Sequence, residues 1–190
     1  SKIYDGSNVV SGSNISSFSN LVGSETLSAT GNGTVASSNV GAGKTVTLNT
    51  LGLSNGTGSS SNYTLSGASF DIIQRPLNIG GTKVYDGSTI IQGGDISSFA
   101  NIVSGETLLV SGSGSVSSSS VGSDKNLTLE SLTLVNNAGL ASNYSIDSGT
   151  VNISQRPVNL SGSKTYDPST NANSSDLAIS NLVSGESLSL

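Results

Sequence analysis

Lysine, tyrosine and aspartate recur together at three places in the chain, with the same spacing each time. Lys-x-Tyr-Asp is followed by Gly-Ser at 2–7 and at 83–88, and by Pro-Ser at 164–169. An ammonium, a phenol and a carboxylate in one short motif are groups that a ligand or metal site uses, and such a site would then be present three times. The same spacing also fits a type I turn, in which an aspartate carboxylate accepts the backbone N–H two residues on. The turn aspartates are Asp5, Asp86 and Asp167.

The residue after the aspartate favours the turn. Gly6 and Gly87 stand where the third copy has Pro168, and a proline ring fixes φ near about −65°. The pattern therefore predicts a turn with negative φ at this position in every copy. We interpret the three aspartates as turn residues, with a ligand or metal role as the alternative.

All tyrosines of the chain belong to repeated framework. Three are in the opening motif and two are in Ser-Asn-Tyr: Tyr4, Tyr85, Tyr166, Tyr63 and Tyr144. Because the chain has no tryptophan, no aromatic platform is left over for a sugar. Large aromatic side chains carry much of the burial in a small domain. We therefore expect these tyrosines to pack inside the fold.

Gln-Arg-Pro occurs twice, with Arg75 and Pro76 in one copy and Arg156 and Pro157 in the other. Proline is found at strand starts and sheet edges because it lacks a ladder donor. We place the junctions between repeats here. Each arginine is expected either to pair with an acid and fix the junction or to lie solvated beside its proline.

The composition excludes most catalytic classes. The 190 residues include no histidine and no cysteine, so the chain lacks a base tuned near neutral pH, a thiolate nucleophile and the softer metal ligands. A single glutamate per repeat lacks the second carboxylate of a glycosidase and is interpreted as a turn residue. We predict no enzyme activity, no cofactor and no metal site. Junction calcium through Asp95 or Asp147, and lysine–asparagine crosslinks, stay open.

The charge pattern bears on partners. Seven basic and twelve acidic side chains give a net charge of −5, which argues against nucleic acid. No run of about twenty apolar residues is present to insert into a membrane. The predicted partners are neighbouring repeats of the same chain, with a host-surface glycan or protein reached through other regions. The fragment is expected to be monomeric.

The chain repeats itself at a spacing of 81 residues, as the first tyrosines of the three copies show. This period has the size of a small globular domain. The predicted fold is mostly β, with tandem domains arranged as a semi-rigid rod. The predicted boundaries are 1–74 (without its opening strand), 75–155 (complete) and 156–190 (partial). Cutting before each Ser/Thr-Lys-x-Tyr is the alternative.

Within a repeat, apolar and polar residues alternate at 107–116, 126–134 and 144–153, which predicts strands with one buried face. The segment 95–103 has apolar residues at helical spacing. It predicts a short helix with Asp95 as the N-cap.

Read in order, the repeated motifs resemble a known family. They are Lys-x-Tyr-Asp-Gly-Ser, Leu-Val-x-Gly-Glu-x-Leu, Val-Gly-x-x-Lys, Ser-Asn-Tyr and Gln-Arg-Pro-Leu. The chain resembles the YDG-type repeat of bacterial filamentous-haemagglutinin-like surface adhesins, many of them exported by two-partner secretion. The resemblance implies a β-grasp-like fold, an extracellular or cell-surface location and no catalytic residues.

Two functions follow as expectations. The first is a structural stalk or spacer that holds a functional tip away from the cell. The second is a low-affinity module for a glycan or host protein, repeated so that avidity multiplies its effect. The exposed stretches at 54–59 and 135–140 differ between copies, and this favours the stalk.

Overall fold

The computed structural model describes residues 1–190 and confirms a mostly β protein. It contains seventeen strands, five short 3-10 turns and no α-helix. The strands are β1 Lys2–Ile3, β2 Val9–Ser11, β3 Leu27–Thr30, β4 Asn32–Val35, β5 Gly41–Thr47, β6 Gly52–Asn55, β7 Ser69–Ile73, β8 Arg75–Val84, β9 Ile90–Gln92, β10 Ile96–Ala100, β11 Leu108–Ser111, β12 Ser113–Val116, β13 Gly122–Thr128, β14 Thr133–Asn136, β15 Tyr144–Ser154, β16 Asn159–Gly162 and β17 Leu177–Ser180. The 3-10 turns are Gly12–Asn14, Ser60–Asn62, Gly93–Asp95, Ala141–Asn143 and Ser174–Asp176.

The two full copies build their main sheets in the same way. The first has the order β1-β7-β5-β4-β2, and the second has β10-β8-β15-β13-β12-β9. The register also repeats, since Val10 pairs with Gly33 and Ile91 with Gly114. Three two-stranded sheets complete the structure: β3-β6, β11-β14 and β16-β17. The sequence repeat is therefore a repeat of strand topology.

The predicted helix at 95–103 is wrong, because most of this segment is strand β10. Asp95 does cap, but it caps the 3-10 turn before the strand: its carboxylate accepts the backbone N–H of Gln92 at 2.9 Å. Strand β10 lies beside β8 at the end of its sheet. In so short an apolar segment, pairing with a neighbouring strand outweighs helical spacing.

The chain divides into two compact units, and each contains residues from two consecutive copies. Unit 1 is Ser1–Asn78, Phe99–Leu109 and Leu134–Asp147, and unit 2 is Ile79–Ser98, Val110–Thr133 and Ser148–Leu190. Where the repeats should be cut stays a prediction.

The core of unit 1 takes side chains from both copies that contribute to it. Its buried cluster comprises Tyr4, Val10, Val35, Val46, Leu51, Phe70, Ile72, Leu77, Leu108 and Tyr144. The buried apolar residues of unit 2 are Ile79, Ile91, Ile96, Val116, Leu127, Leu132, Val151 and Ile153. An 81-residue β domain without disulfides or metal sits near the lower limit of self-sufficient burial. Sharing a core between consecutive copies enlarges the apolar surface that each one buries.

At some positions two backbone segments lie so close together that only glycine fits, and Gly112 shows this most clearly. Its φ is +83°, and a Cβ at this position would lie 2.2 Å from the carbonyl oxygen of Ser131. Gly105 has a similar φ of +86° but open space around it. The two positions therefore separate backbone strain from steric clash.

We predict that Gly112→Ala destabilises the protein clearly more than Gly105→Ala. Each variant bears the cost of a left-handed alanine, about 1–2 kcal/mol, but only Gly112→Ala also forces two backbone segments apart. Urea denaturation of both variants measures the difference. Equal losses of stability would show that the close approach at Gly112 has no energetic weight.

Candidate functional site

The opening motif is closed on itself by its own polar groups. In the second copy, the Lys83 ammonium lies 2.7 Å from the Asp86 carboxylate and donates to the carbonyls of Ser88 (3.0 Å) and Ile90 (2.7 Å). The backbone N–H of Ser88 donates to Asp86 at 2.9 Å. The hydrogen bond expected from the sequence is therefore present, and a lysine cage surrounds it.

The same arrangement occurs in the other two copies. Lys2 contacts Asp5 at 2.8 Å, and Lys164 contacts Asp167 at 2.8 Å. In each copy the lysine also donates to two backbone carbonyls, and the aspartate accepts the N–H two residues on. The Lys83 side chain is only 6% exposed, so its ammonium is satisfied inside the protein. The motif holds a loop together.

The ion pair also shifts the aspartate. The hydrogen bond from Lys83 holds the pKa of Asp86 below its usual value. The hydrogen bond from Lys164 does the same for Asp167. Each lysine therefore stabilises the charged form of its aspartate.

The turn differs from the predicted type. Gly6 and Gly87 have φ of +78° and +79°, which a type I turn does not allow at its second position. The expectation of negative φ in every copy is therefore wrong for the first two. A Cβ at Gly6 would approach Val103 to 3.2 Å, and one at Gly87 would approach Val183 to 3.0 Å. Pro168 shows that the third copy closes its loop through another backbone path.

A partly buried glutamate, Glu106, joins tyrosines from two copies inside unit 1. The hydroxyl of Tyr4 donates to Glu106 Oε1 at 2.5 Å, and the hydroxyl of Tyr144 donates to Oε2 at 2.7 Å. The rings meet edge to face, with centroids 5.4 Å apart. Tyr4 is 4% exposed and Tyr144 is 2% exposed. Hydrogen bonds to a charged acceptor are the strong ones, so we treat this triad as the centre of the candidate site.

The triad raises the tyrosine pKa values. Burial, followed by the hydrogen bond to Glu106, raises the pKa of Tyr4 to about 12. The same two causes raise the pKa of Tyr144. Both phenols therefore stay protonated donors through the neutral and mildly alkaline range.

The contact repeats along the chain. The opening-motif tyrosine reaches forward to a glutamate in the next copy, as Tyr4 does to Glu106 and Tyr85 to Glu186. The Ser-Asn-Tyr tyrosine reaches back to a glutamate in its own copy, as Tyr63 does to Glu25. Tyr166, in the third copy, is 92% exposed.

Two further contacts recur with the triad. Arg75 donates to the backbone carbonyl and the side-chain oxygen of Asn101, and Asn101 donates to the Pro76 carbonyl at 2.9 Å. Arg156 and Asn181 repeat this clamp beside Pro157. Of the two alternatives expected for each arginine, pairing with an acid is not what the structure shows. Each binds an asparagine in left-handed backbone geometry, with φ of +73° and +68°.

The asparagine of Ser-Asn-Tyr is also a contact residue. Asn143 is 1% exposed, accepts the backbone N–H of Val40 at 2.9 Å and donates to Asn39 at 3.1 Å. Within unit 1, therefore, the second copy contacts the first through a buried amide as well as through the triad.

Sequence reasoning missed the glutamates. The turn predicted at the glutamate of each repeat is present at Glu106, whose N–H donates to the Val103 carbonyl at 3.0 Å, but its carboxylate also accepts two phenols. The available signal was a buried tyrosine hydroxyl that needs a partner, recurring at the same period as a lone acid.

Other site chemistry is sparse. No group of three or more acidic side chains that could hold a metal ion is present. Asp95, named for junction calcium, is engaged by its cap, and Asp147 is exposed. None of the helical segments reaches the length and apolar character of a membrane span.

A groove of about 580 Å³ lies on the first copy. Its lining includes Ile15, Phe18, Asn20, Leu27, Leu53 and Tyr63. All of these belong to unit 1.

Two comparisons with known proteins gave no match, and one did. No curated protein and no solved structure matches the chain. The family model of the YDG domain matches twice, over residues 1–70 and 73–152.

We predict that Tyr4→Phe lowers the free energy of unfolding at neutral pH by about 1.5–3 kcal/mol, the usual worth of a hydrogen bond to a charged group. The folded-state pKa of Tyr4, raised from 10.0 to about 12, adds a pH signature. Its contribution is complete below pH 10 and is lost as pH rises towards 12. Denaturation between pH 8 and 12 should therefore show a shallower alkaline loss in Tyr4→Phe than in the parent. Tyr166→Phe, at an exposed position, is the control and should change neither quantity.

We predict that Asp86→Asn lowers stability at pH 7 and that the difference from the parent disappears in acid. The pKa of Asp86 is lowered in the folded state, so its contribution is present above the unfolded-state value of about 3.9. It is lost as pH falls through the folded-state value. Thermal denaturation from pH 7 to pH 2 tests this. A difference that persists unchanged at pH 2 would rule out the ion pair as its cause.

Proposed function

Because the chain belongs to the YDG domain family, we propose that it is a structural repeat: a stalk or spacer segment of a large bacterial cell-surface or secreted adhesin. In this proposal the repeats project a functional tip from the cell. The filamentous-haemagglutinin-like parent, the extracellular location, the β-grasp-like topology of the repeat and the rod arrangement are parts of the same proposal.

One observation carries it: the polar groups of the repeated motifs bind one another inside the chain. Each opening-motif lysine and aspartate pair together. Tyr4 and Tyr144 meet on Glu106, and Arg75 grips Asn101. A binding module would keep its recurring polar groups available to a partner. Here the lysine–aspartate pairs close local loops, and the hydrogen bond from Tyr4 to Glu106 joins consecutive copies. The recurring groups are thus engaged within the chain, as a spacer requires.

The mechanism that follows is mechanical. Tension along a chain of such repeats pulls on Tyr4 and Glu106 at points far apart in sequence, while the buried rings and charged hydrogen bonds resist separation. The chain has no cysteine, so no disulfide contributes to this resistance. Reach then grows with the number of copies.

The alternative, a glycan- or host-protein-binding module acting by avidity, needs a surface that is alike in each copy. The exposed residues of the turns after β6 and β14 differ between copies, with Gly56 and Thr57 in one and Asn137 and Ala138 in the other. The repetition lies in contacts made within the chain, which favours the spacer.

Small-angle X-ray scattering on a series of lengthened chains tests the proposal. One or two further copies of residues 1–81, joined ahead of Ser1, keep the 81-residue register. We expect the maximum dimension to grow by an equal step of about 30 Å per copy, the diameter of a domain of this size. Growth with the shallow length dependence of one compact particle would contradict the rod. Specific binding in a screen of glycans and host-surface proteins would favour the alternative.

A further inference from the structure

The groove on the first copy has a covered counterpart in the second. Adding 81 to the positions of its lining residues gives Ile96, Phe99, Asn101, Leu108, Leu134 and Tyr144. Phe99, Leu108, Leu134 and Tyr144 belong to or pack against the core cluster of unit 1, which also contains Tyr4, Phe70, Ile72 and Leu77. The structure thus presents one surface twice, once open and once covered.

Burial differs between the two versions at two of the six lining positions and at the asparagine before the tyrosine. Ile96 is buried at 8% exposure and Tyr144 at 2%, whereas Ile15 and Tyr63 are only partly buried. Asn143 is 1% exposed, but Asn62, its counterpart, is exposed.

The open version already has the geometry of the covered one. Asn20 has a φ of +63°, close to the +73° of Asn101. Tyr63 accepts the backbone N–H of Val22 at 3.1 Å, as Tyr144 accepts that of Val103 at 3.2 Å. The receiving surface is therefore formed before anything covers it.

The contacts on the two versions differ in a definite way. Glu106 accepts two tyrosine hydroxyls, while Glu25 accepts one, from Tyr63. Asn101 is clamped by Arg75. The counterpart of β10, residues 15–19, forms no strand, although β10 itself lies beside β8. The covered version gains a second tyrosine, an arginine and a strand.

We propose that the groove of the first copy is a docking site for another YDG repeat. That repeat places its opening-motif tyrosine on Glu25 and its Arg-Pro-Leu segment along 15–21, with the arginine on Asn20. Its strand equivalent to β7 supplies the apolar side chains that correspond to Phe70 and Ile72. The inference rests on the contacts of unit 1 and is independent of the proposed function.

The test is hydrogen exchange on a lengthened chain. A further copy of residues 1–81, joined ahead of Ser1, supplies every one of these groups in register. We expect amide exchange at 15–21 and 63–69 of the original chain to slow by at least about tenfold, because these residues gain a strand partner and burial. The amides of β13, in the second copy, serve as the internal reference and should not change.

The matched control is the same lengthened chain with Tyr4→Phe and Arg75→Ala in the added copy alone. Protection at 15–21 should fall back towards that of the parent. Exchange that is equally fast in the parent and the lengthened chain, with the added copy folded, would overturn the proposal. Equal protection of the parent alone on raising its concentration would also support the proposal, because a second molecule of this chain would then supply the docked repeat.

Discussion

The structure depends on one carboxylate that tyrosines from two consecutive copies share. Glu106 is partly buried, but the two phenols that bind it are buried, and a buried polar group is costly unless it is hydrogen-bonded. Those phenols belong to Tyr4 in one copy and Tyr144 in the next. Each phenol in turn needs an acceptor because it is buried. The requirement is mutual, so neither copy can complete this core in the absence of the other.

The other buried polar groups are also satisfied by hydrogen bonds. No buried side-chain nitrogen or oxygen lacks a hydrogen-bond partner, although serine, asparagine and threonine are abundant. Lys83 is satisfied by an aspartate and two carbonyls, and Asn143 by backbone and side-chain groups of residues 39–40. A small β domain that lacks disulfides can then rely on shared burial between consecutive copies.

What the sequence predicted correctly was local or periodic. The 81-residue period, the strand at 144–153 and the hydrogen bond that the Ser88 N–H donates to Asp86 follow from repetition or from nearby residues. The segments 107–116 and 126–134, each predicted as one strand, divide between two strands. The segment 95–103 misled because a five-residue strand and a short helix carry the same apolar count. Its identity is decided by a neighbouring strand that begins twenty residues earlier.

The remaining errors also have a long-range cause. Gly6 takes positive φ where Pro168 cannot, so the loop tolerates two backbone paths, which position-by-position comparison cannot reveal. Arg75 binds the backbone carbonyl and the side-chain oxygen of Asn101. Because asparagine is uncharged, the charge pattern of the sequence does not predict this partner. Glu106 looked like a surface turn because its two phenols lie 102 and 38 residues away.

That 102-residue separation has a consequence for how the protein acquires its structure. The entropic free-energy cost of closing a loop of this length is only about 1 kcal/mol greater than that of the 38-residue closure by Tyr144. The longer contact therefore costs little extra at equilibrium. It is nonetheless non-local, and non-local topologies fold slowly. A polypeptide synthesised from its N-terminus cannot complete the core of unit 1 until residue 144 has appeared. The side chains of the first copy therefore wait for those of the second before this core closes.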